Sequence, residues 1–122
     1  MSLPTQERLN KHLMRWDTEI REFDAAIHAY GARKADLEYR RAVVKEVAKS
    51  DDPKLAGTRL ETLADADEEA HQLHKEYRAA ESTIEAKKAR LRWCQAVADA
   101  LRSEVATERA ESRLYSEDRS TP

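Results

Sequence analysis

The stretch that decides the fold reads Ser50-Asp51-Asp52-Pro53-Lys54-Leu55-Ala56-Gly57-Thr58 and lies near the middle of the chain. It contains Pro53, which lacks the backbone N–H that a helix interior needs, and Gly57, a residue type common just past a helix end. Between Pro4 and Pro122, the flanking sequences are rich in helix-forming residues and are interrupted only by Gly31. The stretch therefore predicts a turn that joins two long helices.

The residues of this turn also predict its local structure. Asp52-Pro53 resembles a helix cap followed by a first helical residue, which predicts one short helical turn over residues 53–56 that ends at Gly57. Thr58 and Glu61 match a capping box at the start of the second helix. We therefore expect one all-α domain over residues 1–122, a long antiparallel helical hairpin with helix 5–49, turn 50–58, helix 59–115 and a frayed polar tail 116–122.

Composition limits the class of protein. The chain has 122 residues and a mass of 14.0 kDa, with 38% charged and 6% aromatic residues, which leaves little material for a globular core. Its net charge of -2 offers no long-range attraction for nucleic acid or for an anionic membrane. The single cysteine, Cys94, excludes an intrachain disulfide and suits a reducing compartment. Since neither a membrane span nor a signal peptide is evident, we expect a soluble cytoplasmic protein.

Large apolar residues in the first arm recur at alternating steps of three and four, the spacing of a coiled-coil seam. One column comprises Leu9, Trp16, Phe23, Tyr30, Leu37 and Val44, and the other comprises Leu13, Ile20, Ile27, Lys34, Arg41 and Ala48. This frame passes through Gly31 without slipping. One continuous helix is therefore predicted, although glycine costs a helix interior about 1 kcal/mol relative to alanine.

The second arm carries the same pattern over a longer span. Its first column comprises Leu63, Ala70, Tyr77, Ile84, Leu91, Ala98, Val105 and Ser112, and its second comprises Ala66, Leu73, Ala80, Lys87, Cys94, Leu101, Glu108 and Tyr115. Small alanines alternate with large side chains, which complements the aromatic-rich first arm because bulky knobs need shallow holes opposite them.

Charge supports the fold-back. If the chain reverses near Lys54, position n lies opposite roughly position 108 minus n. In that register a basic group in each arm lies beside an acidic group in the other: Arg40, Arg41 and Lys45 beside Asp65, Asp67, Glu68 and Glu69, and Lys87, Lys88, Arg90 and Arg92 beside Asp17, Glu19, Glu22 and Asp24. Exposed ion pairs contribute only ~0.2 to 1 kcal/mol each, so these would select the register rather than hold the hairpin together.

A lone helical hairpin covers only one side of each helix, whereas a four-helix bundle covers far more. We therefore expect a homodimer or a higher oligomer. In the predicted register the second helix outruns the first and leaves Val105 and Tyr115 without intrachain partners, while Trp93 lies off the core columns with Val97 one turn on. These four residues are the predicted intermolecular contacts.

Two patterns bear on metal binding and catalysis. Glu68-x-x-His71-x-x-His74 resembles half of a di-metal carboxylate site, but the facing stretch supplies cations instead of matching ligands, so we expect solvated histidines. Cys94 lies in a core column and has no histidine nearby in sequence, which predicts a packed thiol. Because no glycine-rich phosphate loop and no serine elbow occur either, we expect no catalytic, metal or cofactor site and no small-molecule substrate.

One basic cluster contains an aromatic residue: Lys87-Lys88-Ala89-Arg90-Leu91-Arg92-Trp93. Lys87, Lys88, Arg90 and Arg92 would contact phosphates while Trp93 stacks on a base, as in proteins that bind single-stranded nucleic acid. The acidic stretch expected opposite would neutralise much of this positive field. The cluster is the candidate nucleic-acid contact.

Several short segments resemble small helical proteins encoded by tailed bacteriophages and prophages, especially those of actinobacteria. The likeness covers residues from about 35 to 112 and is carried by Tyr39-Arg40-Arg41-Ala42, Lys45, Gly57-Thr58, Ala64-Asp65, Ala80-Glu81, Lys87, Leu91-Arg92, Leu101-Arg102-Ser103-Glu104 and Arg109-Ala110-Glu111. The resemblance implies a phage origin, and hence the cytoplasm of an infected or lysogenic bacterium, but it implies no activity.

These observations predict a non-enzymatic coiled-coil interaction or scaffolding protein that binds another protein, of phage or host. The alternative is an accessory factor of phage DNA replication or recombination that binds single strands through Lys87 to Trp93. An enzyme would need a pocket that a two-helix hairpin does not supply.

Overall fold

The computed structural model describes residues 4–120 and is all-α over that range. Its elements are α1 (Pro4–Asp51), α2 (Gly57–Ala66) and α3 (Glu68–Ser120). The chain reverses after α1, and α1 packs against α3, which confirms the predicted helical hairpin. None of these helices combines the length and the apolar character needed to cross a membrane.

The first helix is continuous through Gly31, as the unbroken frame predicted. At the far end of the chain, α3 runs past the predicted end at Tyr115 and continues to Ser120. No glycine or proline occurs between these positions to break the helix. The predicted frayed tail is therefore helical as far as Ser120, and its last two positions lie outside the described residues.

The turn between α1 and α2 differs in detail from the prediction. Residues 53–56 form no helical turn; instead the backbone N–H of Leu55 donates to the carbonyl of Asp52 at 3.1 Å, and that of Lys54 donates to Asp52 Oδ1 at 3.1 Å. Gly57 begins α2 rather than ending a short helix. Ala56 is the N-cap, without a side-chain cap, so the predicted capping box is wrong. The Glu61 side chain binds cations of α1 instead.

A break at Asp67 divides the second arm, which was predicted as one helix. Asp67 has an extended backbone (φ -66°, ψ 126°), and its Oδ2 accepts the backbone N–H of Ala70 at 2.9 Å, which caps α3. Arg40 Nε and Nη2 also donate to Asp67 Oδ2 and Oδ1, at 2.9 and 3.0 Å. These bonds, first those from Arg40 and then that from Ala70, hold the pKa of Asp67 below its ordinary value. One carboxylate thus starts α3 and ties it to α1.

Burial confirms the columns of the second arm along most of their length. Of the residues in these columns, those that are buried or half-buried are Leu63, Ala70, Leu73, Tyr77, Ala80, Ile84, Lys87, Leu91, Cys94, Ala98, Leu101, Val105 and Glu108. Ala64, which is in neither column, is also fully buried. Ala66 beside the break, and Ser112 and Tyr115 near the end of α3, are exposed instead. The alternation of alanine with large residues was therefore a reliable guide to the inward side of this arm.

Only one of the two columns predicted for α1 faces inward throughout. Leu9, Trp16, Phe23, Tyr30, Leu37 and Val44 are buried or half-buried, as expected. In the second column Leu13, Arg41 and Ala48 are half-buried as predicted, whereas Ile20, Ile27 and Lys34 are exposed. Residues one position earlier also face inward, at His12, Glu19, Ala26 and Arg40. A helix that packs on one neighbour can turn only one side inward. Polar side chains of α1 are tolerated on that side because the second arm supplies hydrogen-bond and ion-pair partners for them.

The described chain divides into two compact units. One comprises the described residues up to Glu22 together with those from Lys87 onward, and the other comprises Phe23–Ala86. Within Phe23–Ala86 the observed register agrees with the prediction. The hydroxyl oxygens of Tyr30 and Tyr77 are 2.9 Å apart and their rings stack with centroids 5.1 Å apart, one position from the expected pairing. The hydrogen bond from Tyr30 raises the pKa of Tyr77.

Both predicted meetings of unlike charges occur. In the unit Phe23–Ala86, Arg40, Arg41 and Lys45 bind Glu61, Asp65, Asp67 and Glu69. In the other unit, Lys87 and Arg90 bind Glu19 and Glu22. The partners identified for Asp17 and Asp24 lie on the same helix: Asp17 pairs with Arg21, and Asp24 Oδ2 lies 3.8 Å from His28 Nδ1.

Val105 corrects the expectation that the end of the second arm lacks intrachain partners. It packs with Leu9 and Leu101 in a buried cluster, against which Leu13 and Val97 are partly buried. The register shifts towards this end of the hairpin, since Thr5 donates a hydrogen bond to Glu108 and Arg8 lies 3.7 Å from Glu104. The start of α1 therefore covers a part of α3 that the fixed register left bare.

This cluster predicts how shortening individual side chains of α3 affects stability. Leu101 is 6% exposed and Leu114 is 63% exposed, although both are leucines of the same helix. Because a buried leucine loses transfer energy and leaves a cavity, Leu101→Ala should reduce the free energy of unfolding by about 2–4 kcal/mol. Leu114→Ala should change it by less than about 0.5 kcal/mol. Urea unfolding followed by circular dichroism measures both; equal effects would contradict the observed packing.

A second prediction concerns pH. Because the pKa of Asp67 is lower in the folded chain than in the unfolded chain, its carboxylate stabilises the fold above the ordinary carboxyl pKa, and this contribution is lost as the pH falls through the lowered pKa. Asp67→Asn should therefore lower the melting temperature at neutral pH, and the difference from the native chain should shrink on acidification. Asp99→Asn, which removes an exposed carboxylate paired within α3, is the control. A pH-independent difference for Asp67→Asn would show that the charge is not responsible.

Candidate interaction surfaces

Two cations of the basic cluster, Lys87 and Arg90, form ion pairs with carboxylates of α1. Lys87 Nζ donates to Glu22 Oε2 at 2.6 Å and lies 3.7 Å from Glu19 Oε2, and Arg90 Nε donates to Glu19 Oε1 at 3.3 Å. These partners, Glu22 foremost, raise the pKa of Lys87. The Glu19 side chain is only 13% exposed, and its Oε2 atom accepts no hydrogen bond from the part of the chain that the structure describes. A mostly buried carboxylate thus holds both cations against α1.

Trp93 lies beside this ion-pair cluster and is half-exposed. The Arg90 guanidinium carbon lies 4.8 Å from the centre of the Trp93 ring, in a cation–π arrangement. The His12 ring meets the same indole edge to face, with centroids 5.8 Å apart and planes at 77°. Arg90 therefore connects Trp93 to Glu19, and the indole is held in one orientation while part of it stays open to solvent.

His12 was placed on no column by the sequence, yet it is buried and bonded. Its Nε2 lies 2.7 Å from the backbone carbonyl oxygen of Cys94, and since a carbonyl only accepts, Nε2 carries the hydrogen. Cys94 itself is fully buried, which confirms the predicted packed thiol. The signal in the sequence is the spacing of three residues from Leu9 to His12, which places both on the same side of the helix. A polar side chain can be buried there when the facing backbone offers an acceptor.

The other residues of the predicted contacts have different surroundings. In the basic cluster, Lys88 is exposed but not free, and Arg92 is exposed. Among the predicted intermolecular contacts, Val97 is half-buried against the Leu9 cluster, and Val105 belongs to that cluster and is closed to a partner. Tyr115 is exposed, although it too has a partner interaction. Of that set, Trp93 is the exposed residue whose ring contacts are identified, with His12 and Arg90.

An apolar groove, which sequence reasoning did not single out, lies in the unit Phe23–Ala86. We call it the turn-end groove; it has a volume of about 590 Å³, and its apolar lining comprises Val43, Val44, Val47, Ala48, Leu55, Leu63 and Ala66. Tyr39 and Val43 also line a smaller cleft with Leu73 on the same unit. Tyr39 is 74% exposed and Val47 is 57% exposed. These valines lie outside the α1 columns, except Val44, which is why the heptad frame did not indicate them.

A second groove on this unit is lined mainly by polar side chains. Its lining comprises Lys34, Glu38, Arg41, Asp65, His71 and His74, together with Leu37, Ala64, Ala70 and Tyr77. His71 and His74 are exposed. Among the residues whose side chains the structure describes, 4–116, no group of three or more histidine, cysteine, aspartate or glutamate side chains lies close enough together to hold a metal ion.

The Glu19 cluster leads to a third prediction. Lys87→Leu leaves Glu19 mostly buried with a single cation, so it should lower the melting temperature markedly. Adding Glu19→Leu removes the stranded charge and places two apolar side chains in the seam, so the double variant should melt above Lys87→Leu alone. Thermal unfolding followed by circular dichroism compares the two. A double variant less stable than the single one would show that Glu19 stabilises the seam in some way other than by charge pairing.

Comparison with known proteins supplies no further constraint. No protein-family model matches the chain, and neither the curated proteins nor the solved structures contain a match.

Proposed function

We propose that the chain is a non-enzymatic interaction protein of phage origin, which associates with itself and binds another protein of phage or host in the bacterial cytoplasm. The observation that carries this proposal is the contrast between its exposed groups. Large apolar side chains are exposed on both units, among them Met14, Tyr39, Val47 and Trp93. Two of the four cations of the basic cluster, by contrast, are already paired with carboxylates of α1. A partly exposed tryptophan that its neighbours hold in place is typical of protein–protein contacts.

Trp93 is the favoured anchor for the protein partner. Tryptophan contributes disproportionately to binding at interfaces, and its contribution is greatest when the free protein already holds the ring in the bound orientation. The contacts from His12 and Arg90 do this while half of the indole stays open. Binding at this position therefore requires little ordering of the anchor.

The alternative function, binding of single-stranded nucleic acid through Lys87 to Trp93, has less support. Two of its four cations are paired with Glu19 and Glu22, so phosphate binding would have to displace these carboxylates. One approach to the indole is occupied by Arg90, which hinders the stacking of a base. Arg92 and Lys88 alone would give a short footprint, and affinity for single strands grows with the number of phosphates neutralised.

A mobility-shift titration with a labelled single-stranded oligonucleotide tests the two functions against each other. The native chain should show no shift at low salt. If instead a shift appears, weakens as salt is added and weakens further in the variant Lys88→Glu with Arg92→Glu, the nucleic-acid function is correct and the proposal is wrong.

The positive test is pairwise co-expression with each protein encoded beside this one, followed by gel filtration. One pair should elute together. Trp93→Ser should weaken that complex by at least about tenfold, because a fixed aromatic anchor is lost. Leu114→Ser, which alters another exposed apolar residue of α3, is the matched control and should retain the complex. Equal retention by both variants would place the partner elsewhere on the chain.

A further inference from the structure

Charged residues repeat along one edge of the seam in the unit that contains Trp93. Arg8, Arg15 and Glu22 are seven residues apart along α1, so they lie in a row on one side of the helix. Both ends of this row are paired across the seam: Arg8 lies 3.7 Å from Glu104, and Glu22 accepts a hydrogen bond from Lys87 at 2.6 Å. The row, which we call the α1 edge row, therefore follows the boundary between α1 and α3.

Arg15, in the middle of the α1 edge row, faces apolar side chains of α3 instead of a carboxylate. His12 fixes its level along the seam, because it lies one turn before Arg15 and its ring contacts Trp93. On the same side of α3, one turn beyond Trp93, lies Val97. Arg15 is exposed, and none of the described residues forms an ion pair with it. An indole and an aliphatic side chain thus occupy the place where the pairs on either side have an anion.

The charge around Arg15 is positive on balance. The carboxylate nearest to it along its own helix is that of Glu19, which lies four residues on and already binds Lys87 and Arg90. Lys11, four residues before Arg15, adds an exposed cation on the same side of α1. The charged residues around this position are Lys11, Arg15, Lys87, Arg90, Glu19 and Glu22, four cations against two carboxylates. An added negative charge is therefore attracted here.

The side of α3 that carries Trp93 leaves room for a partner. Ala89, Ala96 and Ala100 lie four residues before, three after and seven after Trp93, which places them on the same side of the helix. All three are exposed. Because their side chains are short, the half-exposed indole stands above its own helix, and a chain segment can lie along the alanines and touch the ring.

We propose that the partner bound at Trp93 is an acidic segment of another protein, which places an apolar side chain against Trp93 and Val97 and a carboxylate on Arg15. This assignment rests on the proposed function; it adds the chemistry of the partner and a second contact residue. A carboxylate on Arg15 completes the series of ion pairs along the α1 edge row. Packing on the adjacent indole excludes water from this pair and so strengthens it.

A carboxylate side chain suits this position better than the phosphates of a nucleic acid. Arg15 lies between two carboxylates of the seam edge, that of Glu104 towards one end and that of Glu22 towards the other. A nucleic-acid strand that follows the edge brings its successive phosphates towards these carboxylates, where they are repelled. A single carboxylate meets only the cation, and the apolar group next to it uses Trp93.

Selection from a displayed library of random short peptides tests the chemistry of the partner. The immobilised full chain is the target. Enriched peptides should be acidic, and they should share an aspartate or glutamate close to an aromatic or aliphatic residue, because the site offers a cation beside an indole. Enrichment of neutral or basic peptides, or of no peptide, would overturn the inference.

Binding of the most enriched acidic peptide, measured by fluorescence anisotropy, tests the two contact residues. Arg15→Glu and Trp93→Ser should each weaken binding by at least about tenfold, whereas Arg15→Lys, which keeps the charge, should weaken it less. Arg21→Glu makes the same charge change at a 79% exposed arginine of α1 that pairs with Asp17, and it should bind like the native chain. Equal weakening by Arg15→Glu and Arg21→Glu would show that only net charge matters and would overturn the assignment.

An exchange of charges provides a further check. A peptide whose acidic residue is replaced by lysine should bind Arg15→Glu more tightly than it binds the native chain, since the two charges have changed places. Circular dichroism verifies that each variant remains helical. Absence of this reversal would show that the carboxylate of the peptide does not meet Arg15.

The remaining outcomes distinguish other occupants and separate this inference from the proposed function. A single-stranded oligonucleotide that binds more tightly than the peptide would identify nucleic acid as the occupant, and self-association that is lost in Arg15→Glu would identify a second copy; either result would overturn the inference. Peptides that depend on Trp93 but not on Arg15 would overturn it while the proposed function stands. The co-expression test with Trp93→Ser decides on that function separately, because it requires no particular charge in the partner.

Discussion

Each helix of this hairpin can turn only one side towards its neighbour, and this constraint governs everything else in the molecule. Within each unit the seam between the two arms takes in most of the large apolar residues of the second arm. On α1 the same seam has to accept His12, Glu19 and Arg40. These side chains are tolerated because the opposite arm provides a carbonyl oxygen, two cations and a carboxylate for them. The apolar residues displaced from the seam, such as Ile20 and Val47, lie exposed instead.

Much of the fold was predictable because it follows from patterns that act over many residues. The chain reversal at the turn stretch, most of the columns of the second arm and the matching of Arg40 and Lys87 to acidic groups all depend on spacing and charge, and these are confirmed. The single second helix and the short helical turn over residues 53–56 are not. The details that failed depend on single atoms. Asp67 was one of several acidic residues in a row, and nothing in composition distinguishes the one whose carboxylate caps α3 from those that remain in solvent. Thr58 matched a capping box but lies inside α2.

The candidate surfaces were harder to predict than the fold. Trp93 was identified because a large aromatic residue off the core columns is conspicuous in a sequence. Its fixed orientation was not predictable, since His12 is far away along the chain. The turn-end groove was missed because a heptad frame records which residues face the neighbouring helix and ignores the flanks. Val43 and Val47 are apolar residues that belong to neither heptad column. That they line a groove becomes evident only when the position of α2 is known.

The stacked pair of Tyr30 and Tyr77 has a consequence for how the sequence varies during evolution. Their hydroxyl groups hydrogen-bond to each other, so one phenol serves as the other's partner across the seam. Loss of either oxygen leaves the remaining hydroxyl half-buried without that bond, whereas loss of both leaves two phenyl rings that still stack. A change to phenylalanine at one position would then be compensated by the same change at the other, so the two positions should mutate as a pair during evolution.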